Sequence, residues 1–131
     1  MILDTSALVA ILLAEPEAGP MLKAIARDEV RLVAAPTLVE ASAVMLAKKG
    51  PGGEVALDAL LERMGAEVVE MSIPAAKLGR LAYARFGKGV GDPGVLSFGD
   101  CLTYGVAMAT RQPVLFKGDD FRHTDVTPVE Y

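Results

Sequence analysis

The sequence is poor in the residues that most often act as staples or reactive groups. It has one cysteine, one histidine and no tryptophan, and aromatic side chains make up only 5% of its 131 residues. A lone cysteine, Cys101, excludes an intrachain disulfide and a thiolate pair for a metal. It lies in an apolar tract and reads as a packed core residue rather than a nucleophile. The lone histidine, His123, falls in a late polar stretch and is a poor general base. Positive charge is also scarce, with 13 Lys and Arg against 17 Asp and Glu for a net charge of -4. That balance gives no whole-molecule footprint of a polyanion binder. It leaves open an enzyme whose carboxylates hold divalent cations, because the ions invert the local field. Long apolar runs are missing too. The longest, Ala7 to Ala14, falls far short of the roughly 20 residues of a membrane helix. No basic segment precedes it, and Asp4 stands where a signal peptide would carry positive charge. The expectation is a cytoplasmic protein with no membrane partner. Without repeats, linkers or low-complexity segments, residues 1–131 read as a single domain. A chain of this size buries roughly two-thirds of its unfolded surface.

What is abundant is apolar side chain, 52% of residues with a mean hydropathy of +0.37. A fully covered parallel sheet raises that figure, and so does a protein–protein surface. "MILD" reads as a short buried strand ending at Asp4, followed by a helix over "TSALVAILLAE" with Thr5 and Ser6 as capping hydroxyls. "PEAGPMLKAIARDE" suggests a second helix, and "RLVAA" a second buried strand. Pro36 opens a helix to about Lys49. "GPGG" at residues 50–53 is a break before the helical period of "EVALDALLERMG". "AEVVEMSI" is a third strand and "PAAKLGRLAYARFG" an amphipathic helix; "GKGVGDPG" is a loop, and a further helix spans Phe98 to Thr110. "PVLFK" is a fourth strand and "GDDFRHTD" a turn-rich loop. "VTPV" reads as a short edge strand, the one setting in which Pro128 is tolerated. Strands alternating with helices predict a three-layer α/β/α sandwich around a mainly parallel sheet. Sites in such folds form outside the carboxyl ends of the strands.

Three long uncharged tracts each carry one acid. Asp4 is the only charge from Met1 to Ala14, Glu40 the only one from Leu32 to Ala47, and Asp100 the only one from Pro93 to Thr110. Asp119 follows the fourth strand. In a parallel sheet all four face the same edge. Each has a plain structural explanation: Thr37-x-x-Glu40 and Ser97-x-x-Asp100 match capping boxes, Asp4 caps the first helix, and Asp119 with Asp120 makes a turn. For one acid alone, capping is the better explanation; for four together it is not, since capping does not require them to meet. Carboxylates about 4 Å apart repel by about 4 kcal/mol per pair at an effective dielectric near 20. A cluster therefore calls for cations, and hard oxygen ligands suit Mg²⁺ or Mn²⁺ rather than zinc.

These same stretches, "MILDTSALVAILLAE", "TLVEAS", "FGDCLTYGVA" and "LFKGDDF", resemble in order the motifs of PIN-domain proteins, above all VapC-type toxin ribonucleases. The resemblance runs from residue 1 to about 125. It implies an acidic quartet of Asp4, Glu40, Asp100 and Asp119, with Asp4 and Asp100 as direct ligands of Mg²⁺ (or Mn²⁺) and Glu40 positioning the cation and the attacking water. Asp120 competes with Asp119 for the fourth place. Thr5 and Ser6 match supporting hydroxyls. The implied activity is metal-dependent endonucleolytic hydrolysis of RNA by the toxin of a type II toxin–antitoxin pair; the implied partners are RNA, a cognate antitoxin and a second copy of the chain. Relatives often carry a basic loop and an Asn before the "FGD" motif, where this chain has "GKGVGDPGVLSFGD" with Ser97. Lys48, Lys49, Arg80, Arg85, Lys88, Lys117 and Arg122 are the cations available to an RNA backbone, against the plainer reading as solvated surface charge.

Competing classes fit less well. Haloacid-dehalogenase-type phosphatases need a second Asp two residues after the first, where this chain has Ser6; receiver domains need an Asp after the third strand, and "EVVEMSI" ends in none. A catalytically silent PIN-like module that binds RNA or protein is the alternative from a different class.

Overall fold

The computed structural model describes residues 1–131. Four short strands, β1 (Ile2–Leu3), β2 (Leu32–Ala34), β3 (Glu67–Val69) and β4 (Val114–Leu115), form one sheet in the order β3-β2-β1-β4. All three pairings are parallel, with Ile2 opposite both Leu32 and Val114. Six α-helices cover the sheet: α1 (Thr5–Leu12), α2 (Ala18–Arg27), α3 (Ala35–Lys49), α4 (Pro51–Met64), α5 (Ile73–Phe86) and α6 (Phe98–Thr110). A short 3₁₀ turn, Asp120–His123, follows β4.

The strands read as continuous apolar runs because both faces of the sheet are covered. Ile2, Ala34, Val114 and Phe116 point into a cluster with Phe86, Leu96 and Tyr104 from the α5–α6 side. Their neighbours Leu3, Val33 and Leu115 point the other way, onto Leu8, Met21, Ile25, Leu57 and Met64. Successive side chains of a strand alternate faces, so one residue step moves a side chain from one core to the other. The expected three-layer sandwich is the one observed.

Strand order places a switch beside β1, because the chain steps from β1 to β2 to β3 on one side and returns to β4 on the other. The crevice at such a point is where α/β folds bind ligands. Asp4 leaves β1 there, tied to β4 by its N–H to Leu115 O at 3.0 Å.

Several boundaries differ from the sequence reading. The break at residues 50–53 narrows to Gly50, whose φ of +66° ends α3; Pro51 already starts α4. Proline is tolerated at a first helical position, and glycine supplies the left-handed turn. The first helix stops at Leu12 rather than Glu15, since Ala14 turns to φ +51°. The third strand stops at Val69, because Ser72 caps α5 through its hydroxyl to Ala75 N–H at 3.2 Å. "VTPV" forms no strand. It lies along β4 through the single parallel bridge Val114 to Pro128, with Val114 N–H on Thr127 O and Val129 N–H on Val114 O, both at 2.9 Å.

Candidate metal centre

Asp4 is the N-cap of α1, with extended backbone, and is only 2% exposed. Its Oδ2 accepts the Ser6 N–H at 2.9 Å and the Ser6 hydroxyl at 2.6 Å. Its Oδ1 accepts the hydroxyl of Thr103, in α6, at 2.8 Å. Thr103 is fully buried, and the buried Thr37 of α3 lies 3.1 Å from it, oxygen to oxygen. Thr103 commits its proton to Asp4, so Thr37 is the donor to Thr103. A directed chain of hydroxyls, Thr37 to Thr103 to Asp4, joins α3 and α6 to the end of β1. Ser6 extends it the other way, since its oxygen accepts Lys117 N–H at 3.0 Å. The cap of α1 is therefore Asp4, not the hydroxyls of Thr5 and Ser6. Ser6 fixes the Asp4 carboxylate, while the buried Thr5 Oγ1 has no hydrogen-bond partner.

Asp100 sits in the first turn of α6 and completes the expected capping box. Its Oδ2 accepts Ser97 N–H at 2.7 Å, and its own N–H donates to Ser97 Oγ at 3.1 Å. Capping orients the carboxylate and leaves Oδ1 without a partner among the protein's bonds. Glu40 departs from expectation. No capping box with Thr37 forms, because Ala34 is the N-cap of α3 and the Thr37 hydroxyl is turned onto Thr103. Glu40 falls in the second turn, and its carboxylate crosses to α6, where a β-carbon at position 99 would overlap Glu40 Oε2. Gly99, in front of Asp100, leaves the room that brings Glu40 alongside. The sequence reading missed Gly99, Thr37 and Thr103 as parts of this site; the glycine beside Asp100 was the one visible signal.

Electrostatics show which acids meet. Burial pushes the Asp4 carboxyl up, outweighing the bonds from Ser6 and Thr103, and the charge of Glu40 adds to the rise. Burial also raises Asp100, against the Ser97 bonds, with the charges of Asp4 and Asp120 adding. The charge of Glu40 thus acts on Asp4 and that of Asp4 on Asp100, around the end of β1. Asp119 does not join them: its side chain is 85% exposed and lies 4.0 Å from Arg122. Asp120 is the other acid, besides Asp4, whose charge acts on Asp100, and it carries Lys88 Nζ at 3.7 Å. Cys101 faces the core, where burial and then the Asp100 charge push its thiol up to about 11, well above any nucleophilic range. His123 is exposed at the end of the 3₁₀ turn.

No three acidic, histidine or cysteine side chains are arranged to ligate one ion among themselves. The donor set still fits a hard divalent cation. Mg²⁺ is ordinarily held by one or two carboxylates and keeps several waters, every donor here is oxygen, and the unpartnered Thr5 hydroxyl is a buried polar group that an ordered water would satisfy.

A substitution isolates the hydroxyl chain. Thr103→Val removes a donor from ionised Asp4 and strands the Thr37 hydroxyl, which costs about 1–3 kcal/mol of stability. It also raises the Asp4 carboxyl further. A raised acid binds its proton more tightly folded than unfolded, so its ionisation costs stability as pH climbs above the ordinary value of 3.8. The loss caused by Thr103→Val is therefore greatest near neutral pH and shrinks as pH falls through the folded-state pKa of Asp4. Urea unfolding of both proteins across pH checks this; a loss that grows on acidification contradicts it.

Comparison with known proteins agrees with this fold. The family model described as PIN domain matches residues 1–126. Ribonuclease VapC28 of Mycobacterium tuberculosis is 43% identical over 126 residues, covering 96% of this chain and 95% of that protein. The crystal structure of M. tuberculosis VapC20, described as a Sarcin-Ricin loop cleaving toxin, superposes with a TM-score of 0.80 over 99% of this chain and 98% of that one, at 17% identity. VapBC2 of Rickettsia felis, solved bound to a DNA fragment from its promoter, gives a TM-score of 0.73 over 98% and 96% at 18% identity. On the family match and the close relative together, the chain belongs to the PIN-domain family.

Proposed function

We propose that this chain is a divalent-cation-dependent endoribonuclease, the toxin of a toxin–antitoxin pair. The observation that carries the reading is the meeting of Asp4, Glu40 and Asp100 at the strand ends, with like charges acting on one another in a partly buried setting. Like charges brought together in this way are costly without a cation. The naming of the 43% identical relative as a ribonuclease supports the same chemistry.

Asp4 and Asp100 are the residues that would hold the cation, Mg²⁺ or Mn²⁺, and Glu40 completes the pocket. When bound, the ion supplies Lewis acidity that draws charge off the phosphodiester and lowers the pKa of water. The protein does the rest through orientation. Ser6 and Thr103 fix both oxygens of Asp4, Ser97 fixes Asp100, and Gly99 lets Glu40 lie against the helix start. Glu40 is the residue assigned to orient the attacking water and take its proton as the water oxygen bonds to phosphorus, while the bridging oxygen leaves and takes a proton from solvent. Asp120 rather than Asp119 supplies the fourth carboxylate. An antitoxin and a second copy of the chain are the proposed partners. The apolar residues exposed on the surface, Val39, Ile73, Leu81 and Phe98 among them, are surface that such contacts would cover.

Purified chain free of any antitoxin, incubated with total RNA, is expected to cleave with Mg²⁺ or Mn²⁺ and to stop in EDTA, and Asp100→Asn to be inactive while remaining folded. Absence of cleavage with both metals, or cleavage unchanged in EDTA, contradicts the reading. Gly99→Ala tests the placement of Glu40: the added methyl expels the carboxylate, so kcat falls at least as far as in Glu40→Gln while the circular dichroism spectrum is kept. Full activity in Gly99→Ala would show that Glu40 need not lie there.

A further inference from the structure

We propose that Lys88 is the residue that positions the RNA backbone at this site, by giving up its contact with Asp120 and taking a phosphate instead. The inference rests on the ribonuclease reading above and names the residue that brings a polyanion to an acidic crevice. Asp4, Glu40, Asp100 and Asp120 repel a phosphodiester, and a single divalent cation leaves two formal negative charges uncancelled. A positive side chain at the rim is needed, and its location must be fixed.

The structure sorts the available cations. Arg85 is held by Asp125, which also accepts the Tyr104 hydroxyl at 2.7 Å. Arg122 makes two bonds to Glu130, at 3.1 and 3.3 Å, beside Asp119. Lys117 is enclosed by Glu15 and Glu17. Lys48 and Lys49 lie in the last turn of α3, about 12 Å or more along the axis from Glu40 at 1.5 Å per residue. Arg80 lines an apolar groove with Tyr83, Val90, Phe98 and Leu102 and has no acidic partner. Lys88 alone places its ammonium on an acid whose charge is felt by Asp100.

That pair is loose at both ends, with the two side chains 58% and 53% exposed and 3.7 Å apart. Exposed pairs of this kind contribute little to stability, so exchanging a carboxylate for a phosphate is cheap. The backbone beneath Lys88 is firm. Its N–H donates to Leu96 O at 2.9 Å, its carbonyl accepts the Tyr83 hydroxyl at 3.4 Å, and Gly87 bridges Leu96, the residue before the cap of α6. An exposed charged tip on a fixed base held to Leu96, one residue before Ser97, suits a contact that must form next to the reacting phosphate.

The test is equilibrium binding of a fluorescently labelled single-stranded RNA to Asp100→Asn protein, a background that stops turnover, read by anisotropy over a range of salt. Adding Lys88→Ala is expected to weaken binding several-fold and to reduce the slope of log K against log salt by about 0.7, the value for one phosphate contact on a single strand. Lys88→Arg should restore both, and Lys48→Ala should change neither. In the active protein Lys88→Ala should raise KM with little change in kcat. An unchanged salt slope, or an equal effect from Lys48→Ala, overturns the assignment of Lys88 while leaving the ribonuclease reading standing. Failure of the Asp100→Asn protein to bind RNA, with no cleavage by the unaltered chain, overturns both.

Discussion

The structure depends on one buried carboxylate. Asp4 lies at the end of the central strand β1 with 2% of its surface exposed, where three helices converge. An ionised group there costs several kcal/mol unless donors meet it. The fold supplies three, two from Ser6 and one from Thr103, and a further hydroxyl from Thr37 stands behind Thr103. Removing any of them disturbs the site and the packing together, because the same bonds tie α1, α3 and α6 to the sheet. Even so, burial prevails and the Asp4 carboxyl remains above its ordinary range. The pocket is left with an unmet demand for positive charge, and that demand connects stability to chemistry.

Local structure and site geometry are not separate layers here. The Ser97–Asp100 box ends one polar problem, the open N–H groups at the start of α6, and in doing so holds a carboxylate where the charge of Asp4 acts on it. The Ser6 hydroxyl links Asp4 to the segment after β4 through Lys117 N–H. Glu40 reaches the group only because Gly99 carries no side chain. The like charges brought together are held by bonds made for folding, so little rearrangement is needed when a cation binds. Preorganisation of this kind is what electrostatic catalysis requires.

Much of this was legible in the sequence, and the limits have physical causes. Isolated acids in apolar tracts pointed to Asp4, Glu40 and Asp100 because charge is rare in a buried α/β core unless something requires it. The alternation of Ile2 and Leu3, or Val33 and Ala34, between two cores could not be read as a period, since both faces are apolar. Thr37 was read as half of a capping box, because its role depends on Thr103, 66 residues away. Asp119 and Asp120 could not be separated by spacing, because their side chains diverge only in the 3₁₀ turn, where Asp119 is 85% exposed and Asp120 lies 3.7 Å from Lys88. Gly50 was read as part of a break, which its φ of +66° fits, whereas Gly99 drew no reading, because there the missing side chain matters and the backbone angle does not.

The central claim is that the gathered carboxylates form a cation site. Thermal unfolding of the purified protein with increasing Mn²⁺ tests it without reference to any RNA, since a ligand that binds only the folded state raises Tm with concentration. The account predicts a rise in Tm for the unaltered chain that continues with the logarithm of Mn²⁺ concentration and is lost in Asp100→Asn, whose own Tm without metal is equal or higher because like-charge repulsion is relieved. A Tm indifferent to Mn²⁺, or a rise of the same size in Asp100→Asn, would contradict it.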